Sequence, residues 1–255
     1  MNDIMRSLNC FQQVYQRVFT KKTHSDFIFS SYCALCGDLC ASSKEVICRP
    51  CHSDLPLLNN PCLICSLPLP STIIGRTCGK CLKNRPFYQA SIIPLEYTFP
   101  NTIFIKQLKY KQKLVYSDLL AKSLQKVIQQ KKRPLPDCII PVPLHPLRLI
   151  KRGYNQSELI AKSLAKNLDI SIDLKSCRRI KNTAQQTGFS EKERMYNVSN
   201  AFSISSIPYK HVAILDDVVT TGSTVNELAR VLSLAGVKTI EVWACARTTL
   251  DPKDS

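Results

Sequence analysis

The chain has 255 residues, 44% of them hydrophobic, and a formal net charge of +16. That length can bury a full core and hold two domains, and that hydrophobic fraction excludes a disordered chain. No apolar run approaches the ~20 residues that a membrane helix needs.

In chain order, Met1 to Lys22 places apolar residues at Ile4, Met5, Leu8, Phe11, Val14, Tyr15, Val18 and Phe19. The spacing is helical, with polar residues between, unlike the solid apolar core of a signal peptide. Residues 1–30 are read as an N-terminal helical segment that packs on the body of the protein. Thirteen cysteines follow an uneven distribution. Eight form four C-x-x-C pairs: Cys33 and Cys36, Cys48 and Cys51, Cys62 and Cys65, Cys78 and Cys81. Thiolate pairs brought together by short hairpins make a tetrahedral sulfur site suited to Zn²⁺. Four pairs at near-equal spacing predict two structural zinc ions in a double zinc ribbon over residues 31–85, a unit that metal binding would fold. A four-disulfide module is disfavoured for a chain expected in a reducing cytosol, and an iron–sulfur cluster fits the repeated spacing less well. Whether the pairs combine sequentially or crosswise stays open, with Cys40 and His52 adjacent as exchange ligands. Cys10, Cys138, Cys177 and Cys245 stand alone and read as buried small hydrophobes.

From 86 to 255 the pattern becomes that of an α/β domain. Strands are predicted at Ser91–Phe99, Cys138–Val142, Val212–Leu215 and Thr239–Ala246, and helices at Val115–Gln130, Gln156–Asn167 and Val225–Ala235, the last stopped by Gly236. Alternating strands and helices argue a doubly wound parallel sheet, whose ligands sit beyond the carboxyl ends of the strands. The basic excess is regional. Residues 101–200 carry 20 Lys/Arg against 7 Asp/Glu, and residues 201–255 carry 5 against 6. A regional excess points to a polyanion or a multiply phosphorylated ligand.

Two polar stretches lie in that basic region. Pro141-Val142-Pro143-Leu144-His145-Pro146-Leu147-Arg148 runs on to Lys151-Arg152-Gly153-Tyr154-Asn155-Gln156. It reads as a proline-stiffened loop at a strand end, with Arg148, Lys151 and Arg152 able to clamp a pyrophosphate or follow a nucleic-acid backbone. Arg178 to Phe202 reads as a long polar lid carrying Arg178, Arg179, Lys181 and Arg194 beside amides and Tyr196, a mixture suited to single-stranded nucleic acid. The most informative stretch comes last: Val212-Ala213-Ile214-Leu215, then Asp216-Asp217, then Val219-Thr220-Thr221-Gly222-Ser223-Thr224 and a helix. Turn amides, the helix N-terminus and the hydroxyls would hold a phosphate, Gly222 would supply an unusual φ, and the acids would accept from ribose hydroxyls.

That last stretch resembles the phosphoribosyl-pyrophosphate motif of the type I phosphoribosyltransferases. Together with P-V-P-L-H-P-x-R-x-x-x-R-G-Y-N-Q, K-x-T-x-x-Q and R-x-x-N-V-x-x-A-F, in this order and behind a cysteine-rich module, it is similar to the ComF family over residues ~31 to 248. The resemblance implies a type I phosphoribosyltransferase fold in a bacterial cytosolic protein of natural transformation. It also implies ribose contacts from Asp216 and Asp217, a 5-phosphate loop at Thr220 to Thr224, and Mg²⁺ with phosphoribosyl pyrophosphate. Single-stranded DNA and other competence proteins would be partners. Lys181 stands where the family commonly has Arg, which keeps the charge and loses bidentate geometry. Three functions fit these residues: a site that binds the sugar phosphate beside a DNA surface, a non-catalytic adaptor for DNA uptake, and a transferase acting on a base or amine.

Overall fold

The computed structural model describes residues 31–42, 45–72, 76–183 and 191–249, with only the backbone of 191, 192, 194 and 195. The predicted N-terminal helix, Cys10, Gln186 and most of the predicted lid lie outside these residues. By compactness the chain divides between Leu55 and Pro56. The smaller unit holds the first two cysteine pairs and a one-turn helix, α1 (Arg49–Ser53). The larger unit opens with the other two pairs and α2 (Gly79–Lys83). A scheme drawn by the cysteine repeat, 31–85 and 86–255, thus differs from one drawn by packing at the second cysteine cluster.

The larger unit is built on a six-stranded, wholly parallel sheet. Its strands are β1 (Ala90–Ile92), β2 (Leu95–Glu96), β3 (Cys138–Pro141), β4 (Ser171–Ile172), β7 (His211–Val219) and β8 (Thr239–Arg247). β1 and β2 lie end to end along β8 in one register, Ala90 opposite Glu241 and Leu95 opposite Ala246. The predicted strand Ser91–Phe99 is therefore an interrupted one. Pro94 falls in the gap because it has no N–H to give to a ladder. The chain then turns into a helix the sequence reading lacked, α3 (Asn101–Tyr110).

Beyond β8 the order continues β7, β3, β4. The helices α4 (Val115–Gln130) and α6 (Gln156–Leu168) pack on one another and on the sheet. Their apolar stripes bury Leu120, Leu124, Ile160 and Leu164 completely. α8 (Ser223–Leu234) places Val225, Leu228, Ala229 and Leu232 against Val212 and Ile214 of β7 and Val242 and Ala244 of β8. Strand neighbours alternate faces, so the residues between these belong to the opposite side. Cys138, Cys177 and Cys245 are buried as expected. A separate antiparallel pair, β5 (Cys177–Arg179) and β6 (Phe202–Ile204), spans the lid stretch, with α7 (Glu191–Val198) between.

Two boundaries differ from the sequence expectation in ways that matter. β7 does not stop at Leu215; its ladder with β8 continues to Val219 opposite Arg247, so the acid pair lies inside the strand. The stretch read as a proline-stiffened loop contains a short helix, α5 (Pro146–Arg152). Proline at its first position costs no hydrogen bond, His145 Nδ1 accepts from Leu147 N–H, and Gly153 closes it at φ +84°.

Asn155 fastens α6 to this sheet end. Its Oδ1 accepts from Ser157 N–H at 3.0 Å and its Nδ2 donates to the Val142 carbonyl at 3.0 Å. Asn155→Ala removes a helix cap and orphans a buried carbonyl, and should cost about 1–2 kcal/mol in urea denaturation.

Candidate functional site

The eight paired cysteines form two sequential clusters, Cys33/Cys36/Cys48/Cys51 and Cys62/Cys65/Cys78/Cys81, each with its sulfurs within 4.8 Å of one another. Sulfurs of different pairs approach to 3.5 Å in the first cluster and 3.6 Å in the second. A tetrahedron of ~2.3 Å Zn–S bonds has edges of ~3.8 Å, whereas a disulfide needs ~2.05 Å. The clusters fit a double zinc ribbon, and neither includes Cys40 or His52. The same local device builds both. One pair sits in a tight turn: Gly37 N–H donates to Cys33 O, and Ser66 N–H to Cys62 O. The second pair begins at a helix cap, Cys48 for α1 and Cys78 for α2.

The turn residue four after the first cysteine is left-handed in both, Gly37 at φ +78° and Ser66 at φ +54°. Ser66 is there without a glycine's freedom, but its hydroxyl lies 2.7 Å from the Ser91 hydroxyl on β1. Without a cation the four thiols of a cluster cannot all ionise. Burial is outweighed at Cys33 by the N–H groups of Cys36, Cys48 and Leu35, which lowers its pKa to about 7. Burial pushes Cys36 up to about 12 and Cys65 up to about 11. Metal binding therefore has to displace protons.

At the carboxyl end of β7 the two acids part company. Asp216 shares the face of Val212 and Ile214, that of α8, and lines an open cup with Val219, Thr220, Gly222, Ser223 and Thr224. Its Oδ1 accepts from the Ser157 hydroxyl at 3.1 Å and from Asp217 N–H at 2.9 Å. Burial, then the neighbouring Asp217, raises its pKa to about 7. Asp217 is 3% exposed and pairs with Lys109 Nζ at 2.6 Å. Burial disfavours the Lys109 ammonium, but Asp217 and Asp216 overcome this and hold its pKa above the usual value. So Asp216 faces the cup and Asp217 is a buried counter-ion.

Gly222 caps α8 at φ +83°. A Cβ there would meet Tyr88 and Val219 only at 3.6 and 3.9 Å, so the backbone angle rather than space asks for glycine. The Thr221 and Ser223 hydroxyls lie 2.9 Å apart beside the helix N-terminus, whose first N–H groups lack intrahelical acceptors.

The cations divide into two sets. Arg148 donates through Nη2 to the Thr183 carbonyl, and Arg179 Nη2 donates to the Thr183 hydroxyl at 2.5 Å. Arg179 is 8% exposed and lies 5.4 Å from the Phe202 ring. Burial and then Arg148 lower its pKa while Asp216 opposes, so Arg148, Arg179 and Asp216 share one neighbourhood. Arg152 donates to Gln156 Oε1 and stands 5.5 Å over the Tyr110 ring. Lys151, Arg178 and Lys181 are exposed. The Arg194 side chain is outside the described residues.

No family model matches the chain. Among characterised proteins it is 35% identical over 227 residues to Competence protein F of Haemophilus influenzae, covering 86% of this chain and 98% of that protein. The chain belongs to the competence protein F family. It is also 36% identical over 222 residues to the DNA utilization protein YhgH of Salmonella typhi, covering 85% and 96%. A hypoxanthine phosphoribosyltransferase of Staphylococcus aureus superposes with a TM-score of 0.32 at 18% identity, over 50% of this chain and 61% of that one. No helix among the described residues is long and apolar enough to cross a membrane.

Sequence reasoning missed Lys109, Ser157 and Thr183. Lys109 sat in an unrecognised helix, and Ser157 looked like an ordinary first-turn residue. Thr183 stood inside a quoted motif without a partner to explain it.

Elemental analysis of purified protein should find two zinc ions per chain, and acidification should release them with proton uptake. A second outcome concerns pH. Asp216 binds its proton more tightly folded than at the unfolded value of ~3.9, so its contribution is fully present below pH ~4 and is lost as pH rises towards 7. Asp216→Asn should therefore raise Tm at pH 8, with the gain shrinking toward pH 5 in a calorimetric scan.

Proposed function

We propose that this chain acts in bacterial DNA uptake during natural transformation, in the cytosol, by binding single-stranded DNA and phosphoribosyl pyrophosphate with Mg²⁺. The observation that carries the sugar-phosphate reading is Asp216 on the face of the central strand that leads into the left-handed Thr220–Thr224 turn. The turn and the α8 N-terminus take the 5-phosphate, and Asp216 accepts from the ribose hydroxyls. Asp217 acts from behind, paired with Lys109.

Mg²⁺ suits the donor set, because burial and the adjacent Asp217 disfavour the Asp216 carboxylate, and a cation beside it would relieve that charge. When bound with the ligand, it supplies charge neutralisation at the diphosphate. The chemistry consistent with such a site is displacement of pyrophosphate at the anomeric carbon. In this reading Arg148 binds the leaving group; its contact with Thr183, beside Arg179 and Asp216, supports that role.

The DNA reading rests on the exposed cations Lys151, Arg178 and Lys181, together with Tyr110, which is 60% exposed under the Arg152 guanidinium. An exposed ring and a phosphate-tracking row of cations are what sequence-tolerant single-strand binding uses. The relatives' names, Competence protein F and DNA utilization protein, support the same assignment.

Two measurements test it. Calorimetry should detect Mg²⁺-dependent binding of phosphoribosyl pyrophosphate that Asp216→Ala abolishes in a folded protein; unchanged affinity sinks the site assignment. Fluorescence anisotropy with a labelled oligonucleotide should give an affinity that falls with salt, with a slope near −0.7 for each phosphate neutralised. Lys151→Glu with Arg178→Glu should weaken binding and flatten that slope. A flat salt response in the unmodified protein would leave these cations as solvated surface.

A further inference from the structure

Arg247 ends the last strand, β8, and is 4% exposed. Its guanidinium reaches two places at once. Nε donates to the Cys65 carbonyl at 3.1 Å, within the second cysteine cluster. Nη1 donates to the Val219 carbonyl at 3.1 Å and to the Thr220 carbonyl, at the start of the phosphate turn. The Thr248 carbonyl, at 3.1 Å, completes the set. Cys65 and Thr220 are far apart in sequence, and one rigid planar group sets the spacing between their backbones.

Among the described residues no carboxylate pairs with Arg247. A buried cation without a counter-ion is costly. The Cys65 carbonyl that accepts from Nε holds the guanidinium beside the second cysteine cluster. A divalent ion held by four thiolates keeps a net double negative charge, so the loaded cluster is the natural counter-ion of this arginine. Tyr88 belongs to the same neighbourhood, since its hydroxyl would lie 3.6 Å from a Cβ on Gly222. The second lobe is also pinned to the sheet by the Ser66–Ser91 hydroxyl pair, so a change in the lobe is felt at the sheet.

We propose that Arg247 is a positioning residue that ties the carbonyls of the phosphate turn to the second cysteine site. Metal loss there loosens the turn and weakens sugar-phosphate binding. The affinity part rests on the function proposed above; the coupling between metal and turn does not.

Hydrogen exchange on the full chain separates the two. Four samples are compared: zinc-loaded and chelator-stripped, each as unmodified protein and as Arg247→Met. Exchange is read at residues 219–223, with β3 (Cys138–Pro141) as the internal reference. Stripping the unmodified protein should speed exchange in the turn by roughly tenfold and leave β3 unchanged. Arg247→Met should start fast and gain little on stripping, because the link is already cut. Arg247→Lys, which keeps charge without the fork, should fall between.

Equal gains on stripping in both proteins would overturn the proposal, as would an unchanged turn or equal loosening of β3. If Arg247→Met does not fold, the unmodified protein and Arg247→Lys decide by the same criteria. Calorimetry with phosphoribosyl pyrophosphate and Mg²⁺ adds the functional arm: Arg247→Met should bind about tenfold more weakly. No binding by the unmodified protein would sink the functional reading alone, and the exchange data would still decide the coupling.

Discussion

A carboxylate on the central strand of a closed-in parallel sheet has to meet a cation, and Lys109 is that cation for Asp217. The rest of the candidate site follows from this pairing. With Asp217 neutralised on one face, β7 runs on to Val219 in full register with β8, and the Thr220–Thr224 turn starts from a fixed point. Alternation then puts Asp216 on the other face, in the cup, where Ser157 orients it. Removing one partner of such a buried pair costs on the order of 3 kcal/mol, because the other charge is stranded. The adjacent acids are thus one support and one presented group, related by the pleat of a single strand.

The cysteine lobes show a comparable economy. Each closes a turn after its first pair and starts a helix at its second, which brings four sulfurs together with little chain. The two lobes differ in setting: the second packs with the sheet, through Ser66 and Arg247, within one compact unit. That lobe is tied through Arg247 to the carboxyl end of β7 instead of serving as a detached module.

Much of this was legible in the residues. The helix Val115–Gln130 was read to the residue, because its apolar stripe is regular and a Lys-Lys-Arg-Pro run ends it. The cysteine pairs were legible because thiolate chemistry fixes spacing; their sequential combination was not, because either pairing satisfies the same intervals. The β7 boundary was misjudged because charge in a strand normally signals its end, and the neutralising Lys109 comes from an element more than a hundred residues earlier. The α5 stretch reads as a stiff loop because proline marks both loops and helix starts, and only the His145 cap distinguishes them. Arg179 looked like a surface cation beside Arg178; strand alternation buries it against Phe202 while its neighbour faces water. Local pattern carried the elements, and long-range pairing decided which charges are buried and which face the cup.

The interruption at Pro94 has a consequence for how copies of this chain can meet. β1 and β2 form an outer border of the sheet, where a parallel strand ordinarily leaves donors and acceptors for another chain. Here Pro94 withholds one donor, while its carbonyl is taken by Leu58 N–H at 2.8 Å. Leu57 bridges Leu95 in the antiparallel sense. The opposite border, β4, is only two residues long. Both rims are blunted, so edge-to-edge sheet growth between molecules has little to start from.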